Sequence, residues 1–251
     1  ASNSGFGGIV STGDSSGVLQ LQAAGTTVAT IQSTGLNLGS NGVVFSDSSS
    51  QTAAASPYVL KNRIINGAMV VDQRNAGASV TPANGAYTLD RWGVNQFANA
   101  SKFSVQQSST VPTGFNNSLI VTSLSAYSVA VGDIYALYQR IEGFNVADLD
   151  FGLSTARTVT LSFWVKSSLT GSYAALLTNG EPSNDISYYY KMYTINTVNT
   201  WEKKTITVPG PTSGTWASDN SAGLHAHFIL ANSSLFGGGT EGAWVNATSA
   251  K

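Results

Sequence analysis

Cysteine is absent from the 251 residues, and histidine and methionine each occur twice. The lack of thiols excludes disulfides, thiolate metal centres and cysteine nucleophiles, without fixing a compartment. Charge is scarce as well. Asp, Glu, Lys and Arg make up 10% of the chain, where about 25% is ordinary, and the formal net charge is −1. No basic stripe exists to hold nucleic acid or an anionic lipid surface, so neither is expected as a partner. No run comes near the roughly 20 apolar residues that cross a bilayer, so membrane insertion is not expected, and a basic start with an apolar centre, the secretory pattern, is not found. The deficit is greatest at the beginning: residues 1 to 58 hold no Lys, Arg, Trp or Met, and their only charges are Asp14 and Asp47.

That first segment is about half Gly, Ser and Thr, yet it carries short alternating apolar runs: VLQLQ at 18 to 22, TTVATIQ at 26 to 32, LNL at 36 to 38 and GVVFSD at 42 to 47. Each is strand-sized and bounded by turn residues. Apolar burial yields about 25 cal/mol per Å², and ordering a residue costs roughly 1 to 2 kcal/mol. Small clusters of Val18, Leu19, Leu21, Val28, Ile31, Leu36, Leu38, Val43 and Phe45 therefore cannot order a lone arm. The expectation is an extended β-rich oligomerisation arm at 1 to 58, ordered by copies of itself or by a larger assembly.

SSSQTAAASPY at 48 to 58 marks a border, after which Trp and basic residues appear and apolar runs lengthen. Residues 59 to 251 are long enough to bury a core of their own. KNRIINGAMVVDQR at 61 to 74 reads as a strand pair or bent strand about Asn66-Gly67. In YTLDRWGVNQF at 87 to 97, strict alternation would carry Asp90 inward with Trp92. Strands are expected at 101 to 107, 118 to 124, 133 to 142, 157 to 166, 172 to 178, 186 to 195, 201 to 208 and 223 to 231, a spacing that suits an antiparallel sandwich. A short helical turn capped by Asn145 is expected at 145 to 149. Trp92, Phe163, Trp164 and Trp201 are assigned to the core or a subunit seam, and Arg63 and Arg74 to salt bridges at the junction of arm and domain.

NRIINGAMVVDQRNAGASVT, YTLDRW, LSFWVKSS and NTWEKKTITVPG with SGTW together resemble a domain found in bacteriophage tail-fibre and other virion-appendage proteins. GVVFSDSSSQTAAA is similar to a strand-turn motif that precedes such domains, with Asp47-Ser48-Ser49 in place of the usual Asp-Gly. The resemblance implies an all-β, antiparallel jelly-roll β-sandwich of the galactose-binding-like, carbohydrate-binding kind, carried on a homotrimer. It also implies a virion location, with the arm docking to other virion proteins and the sandwich facing the host surface for attachment. Similar domains end in a closing strand beyond the region matching NATSAK, so the last strand is expected to be missing from this sequence or supplied by another chain. Two alternatives are a carbohydrate-binding module of a larger enzyme and a capsid-surface fibre without a receptor role.

Chemistry-bearing residues are few. His225 and His227, two apart on a predicted strand, point the same way, but with no third ligand in view a surface or intersubunit contact is the plainer reading. No G-x-S-x-G elbow occurs. Asp133, Glu142, Asp148, Asp150, Glu181 and Asp185 are the carboxylates that a glycoside cleavage would draw on, and they stand where turns and caps use them. The expectation is a protein that is not an enzyme and has no cofactor, with loop oxygens as the only candidates for a structural Ca²⁺. Aromatic residues carry the better signal. Alternation sends Tyr188 and Tyr190 to one side of a strand and Tyr189 and Tyr193 to the other, and Tyr188, Tyr190 and Trp216 are the candidates for stacking on a host cell-surface glycan.

Overall fold

The computed structural model describes residues 8–10, 18–32, 35–38, 43–44, 50–51, 61–97, 101–180, 185–232 and 239–248. The chain divides into two compact units, Ala1–Lys61 and Asn62–Lys251.

In the first unit, β1 (Gly8–Val10), β2 (Leu19–Ala23), β3 (Thr26–Gln32) and β4 (Gly35–Asn37) form an antiparallel meander in chain order, and β5 (Val43–Val44) pairs with β6 (Ser50–Gln51). Ala24 and Gly25 join β2 to β3 with φ of 50° and 80°, the doubly positive geometry that suits the twist of a two-residue hairpin. Leu19 lies opposite Ile31 and Leu21 opposite Ala29, which gives one apolar face, while Gln20 and Gln22 oppose Thr30 and Thr27 on the other. Thr27 Oγ1 donates to Gln20 Oε1 and accepts from Gln22 Nε2, both at 3.4 Å. Ala29 is buried, but Val28 and Ile31 keep 39% and 42% of their surface exposed. Val18, Leu19, Leu21 and Leu38 are partly buried. Leu36 falls in β4 and Val43 in β5, and Phe45 lies outside the described residues.

The second unit is all-β and antiparallel. Its main layer has six strands in the order β16-β13-β12-β15-β10-β7, namely β7 (Gly93–Phe97), β10 (Ile134–Glu142), β12 (Gly171–Thr178), β13 (Asp185–Ile195), β15 (Ala222–Asn232) and β16 (Trp244–Thr248). Two separate pairs complete it, β8 (Phe103–Ser108) with β9 (Ser118–Ser123), and β11 (Val159–Val165) with β14 (Glu202–Val208). The unit is thus the expected all-β, antiparallel β-sandwich, with layers of unequal size. Residues of β11 and β14, among them Leu161, Phe163, Ile206 and Val208, pack on Ala175, Leu177, Tyr189, Leu224 and Ala226 of the large sheet. Phe103 and Val105 of β8 pack on Val94 and Tyr135.

Most of the domain's expected strands match within two residues, because alternation of β-branched and aromatic residues with polar ones survives in each. Three expectations fail. Residues 61 to 72 hold turns and extended backbone but no strand: their backbone groups are held by side-chain amides from elsewhere. Gln139, fully buried, accepts from Ile65 N–H at 2.7 Å and donates to Ile65 C=O at 2.8 Å. Around Trp92 the alternation breaks because Arg91 has φ of 73°. Leu89 and Trp92 are therefore both buried, while Asp90 is only partly so and accepts from Gln73 N–H at 2.7 Å. The turn expected at 145 to 149 is present as the 3-10 turn Ala147–Leu149, with a second at Gly143–Asn145, but the Asn145 cap is not, and neither turn has a side-chain cap. Asn145 donates to Glu142 Oε2 instead.

The arginines are also reassigned. Arg63 forms a two-pronged pair with Asp148 at 2.8 and 2.7 Å and also bonds the Asn145 carbonyl, all within the second unit. Arg74 sits over the Tyr87 ring, 5.8 Å from its centroid. Trp164 is 39% exposed, on the polar side of β11, and Lys166 lies over Trp201.

Candidate ligand-binding face

The six-stranded sheet has two faces of different chemistry. Its inner face meets the two strand pairs and is apolar, with each buried amide on it spoken for. Asn179, also fully buried, donates to the carbonyls of Asp185 and Thr215 and accepts from Ser187 N–H. Gln96 Nε2 donates to the Pro82 carbonyl at 2.7 Å.

The opposite face is assembled by register. One cross-strand row runs Gly93, Tyr138, His227, Leu176, Tyr190, and the next runs Arg140, His225, Thr178, Tyr188, Val245. The i, i+2 spacing of His225 and His227 puts both imidazoles here, as their positions on the strand predict, with ring centroids 5.7 Å apart. Tyr138 stacks on His225 at 6.4 Å and meets His227 at 5.6 Å. Its ring lies across β7 where a Cβ on Gly93 would come within 2.5 Å of it, so only glycine leaves room for this tyrosine. The Arg140 guanidinium covers the same ring at 5.3 Å.

Electrostatics follow from that placement. Burial, then the nearby Arg140 charge, holds the His225 imidazole down at about 4. Burial, then His225 and Arg140, holds His227 at about 3. Both rings are neutral near pH 7. Burial raises the Tyr138 phenol, against the pull of Arg140. Two polar atoms of the second row, His225 Nε2 and Thr178 Oγ1, are buried without a hydrogen-bond partner among the described residues, and their residues sit directly opposite each other on β15 and β12.

Of the aromatic candidates, Tyr188 and Tyr190 reach this face and Trp216 does not. Tyr190 donates its hydroxyl to the Gly239 carbonyl at 3.0 Å. Tyr189 and Tyr193 turn to the inner core, as the alternation requires, and burial raises the Tyr193 phenol. Trp216 packs edge-on against Phe151 and Trp244, at 4.9 and 5.3 Å, and donates to the Ser213 carbonyl. Reading the sequence missed Arg140, Tyr138 and Thr178. Alternation marks which face each occupies, but only strand order shows that they adjoin the histidines.

The carboxylates named from the sequence are engaged elsewhere. Buried Asp133 accepts from Tyr127 and Ala130, Glu142 pairs with Arg91 at 2.7 Å, Asp148 pairs with Arg63, and Asp185 accepts from Thr215 N–H. Asp150 ends the second 3-10 turn in the left-handed region with φ of 55°, and Glu181 lies outside the described residues. Among the described residues no group of three or more His, Asp or Glu is placed to hold a metal.

The described residues make an all-β protein, one unit a sandwich of unequal layers and the other a β-meander. No family model matches the chain, and no curated protein matches it. One solved structure that it is similar to is the enzymatically active domain of bacteriophage CBA120 tailspike protein 4, at 17% identity and a TM-score of 0.39. The match covers 67% of this chain and 20% of that one, so this chain spans about a fifth of that structure. The description corrects the expectation that the chain is not an enzyme, which is dropped: the structure it resembles is an enzymatically active domain. A likeness this loose transfers no residue, reaction or substrate.

Proposed function

We propose that the chain is a subunit of a bacteriophage tail-type appendage, with the first unit as its assembly arm and the second presented to the host cell surface. The observation that carries the reading is the arm's meander: one sheet layer, apolar on one side, with nothing charged on its described strands. A sheet with one apolar face needs a second layer against it, and Val28 and Ile31 remain open to solvent. Copies of an uncharged face do not repel one another, so a homotrimer joined through Leu19, Leu21 and Ile31 fits. The resemblance of GVVFSDSSSQTAAA and of the four domain segments to fibre proteins supports a virion location, and the tailspike description agrees in kind. The second unit then offers the outer face of its six-stranded sheet to a surface glycan.

Light scattering on the purified chain is expected to give a trimer, reduced to monomer by Ile31→Asp together with Leu21→Asp. Soluble protein added before infection is expected to block adsorption of the phage that carries it. A monomeric wild-type chain that leaves adsorption unchanged overturns the reading.

A further inference from the structure

The outer face holds a combination that the fold itself does not use. Arg140 is exposed and makes no ion pair among the described residues; the nearby carboxylate, Glu142, is taken by Arg91. Beside it in the same row, His225 is 8% exposed and Thr178 5%, each with a side-chain atom that has no hydrogen-bond partner among the described residues. An unsatisfied buried polar atom costs roughly 1 to 3 kcal/mol, and two of them facing each other in register are hard to account for by packing. Had the row been purely structural, Val at 178 would fill the same space without that cost.

We propose that Arg140, His225 and Thr178 form a binding site for an anionic sugar unit, one that bears a carboxylate or a sulfate. This rests on the appendage reading and names the class of glycan that the outer face would take. Strands stand about 4.8 Å apart, so the row spans roughly 10 Å from Arg140 to Thr178. Arg140 is the open end of this row, and the buried atoms of His225 and Thr178 lie beneath the surface beside it, so a sugar whose charged substituent pairs with the guanidinium reaches them only by displacing the side chains that cover them. The guanidinium offers paired N–H donors to a planar or tetrahedral anion. A neutral imidazole and a hydroxyl can each donate or accept, which suits sugar hydroxyls. Tyr138 holds both Arg140 and His225 in place through its ring, so the charged and neutral ends of the site share one support.

Titration of the full chain with oligogalacturonate, a sulfated oligogalactan and a neutral oligogalactose of matched length tests the assignment, with His225 imidazole NMR signals as the local readout. At least one anionic oligomer is expected to bind ten-fold or more tighter than the neutral one and to shift the His225 signals. Arg140→Gln, at an exposed position, is expected to weaken binding at least ten-fold. Arg140→Lys is expected to restore part of it, and Thr178→Val to weaken it several-fold. Equal binding of neutral and anionic oligomers overturns the site, as does no binding at all, unchanged affinity in Arg140→Gln, or an ordered water that satisfies His225 and Thr178 with no response to sugar. A chain that is trimeric and blocks adsorption but ignores anionic sugars refutes this site and leaves the appendage reading standing. A monomer that binds them without blocking adsorption does the reverse.

Discussion

The two faces of the six-stranded sheet share strands, twist and neighbours, yet they handle polar groups in opposite ways. On the inner face Gln139 closes a double hydrogen bond with Ile65, and its amide is worth more to the fold than an apolar side chain would be. On the outer face Thr178 and His225 are also buried and leave atoms unpaired among the described residues. Buried polar groups stabilise when fully satisfied and destabilise when not. The inner-face amides are thus satisfied, while the outer row carries the unpaired atoms on which the proposed site rests.

The largest expected effect breaks the inner side of this contrast. Gln139→Leu orphans the Ile65 N–H and C=O, at roughly 2 kcal/mol each, and is expected to destabilise the domain by about 4 kcal/mol in denaturant titration. If it is neutral, the Gln139 amide does not hold residues 61 to 72.

Acid tests the outer side next. The folded-state values of His225 and His227, about 4 and about 3, lie below the unfolded reference of 6.5, so the unfolded chain binds more protons between them. Stability is then complete above pH 6.5 and falls as pH drops toward 4, on the order of 3 kcal/mol from His225 alone. Thermal melts between pH 4 and 7 should show this slope, and the double variant His225→Gln, His227→Gln should flatten it.

Gly93→Ala is expected to be milder. Its Cβ would push the Tyr138 ring off β7, at a cost of about 2 kcal/mol, with the stacking on both histidines disturbed and visible in aromatic NMR shifts. The smallest effect has the opposite sign. Thr178→Val removes an unpaired hydroxyl and should stabilise the unliganded domain by about 1 kcal/mol, while costing affinity for anionic sugars. Stabilising changes at a binding site commonly carry such a loss. A destabilised Thr178→Val would mean that the hydroxyl is already satisfied in solution.

Much of the fold was legible because a strand's two-residue period is written locally. TVTLSFWVK announced β11, and the arm's Leu19, Leu21 and Ile31 announced a single apolar face. Where alternation was broken by backbone geometry, as at Arg91, or where the backbone was bonded by a distant amide and not by a neighbouring strand, as at Ile65, local pattern misled. The candidate site was legible only in part. The histidine pair and the separation of Tyr188 and Tyr190 from Tyr189 and Tyr193 follow from alternation alone, but Trp216, chosen for its exposable ring, belongs to an aromatic cluster with Phe151 and Trp244.

The sequence by itself determined that the chain is β-rich, poor in charge, and divided between an uncharged arm and a fuller domain, since composition and period are properties of neighbouring residues. Tertiary structure alone decided that Arg140, His225 and Thr178 form one row. Their positions are 38 to 85 apart in the chain, and only the β10, β15, β12 order, set by which strands bury one another's inner faces, brings them side by side.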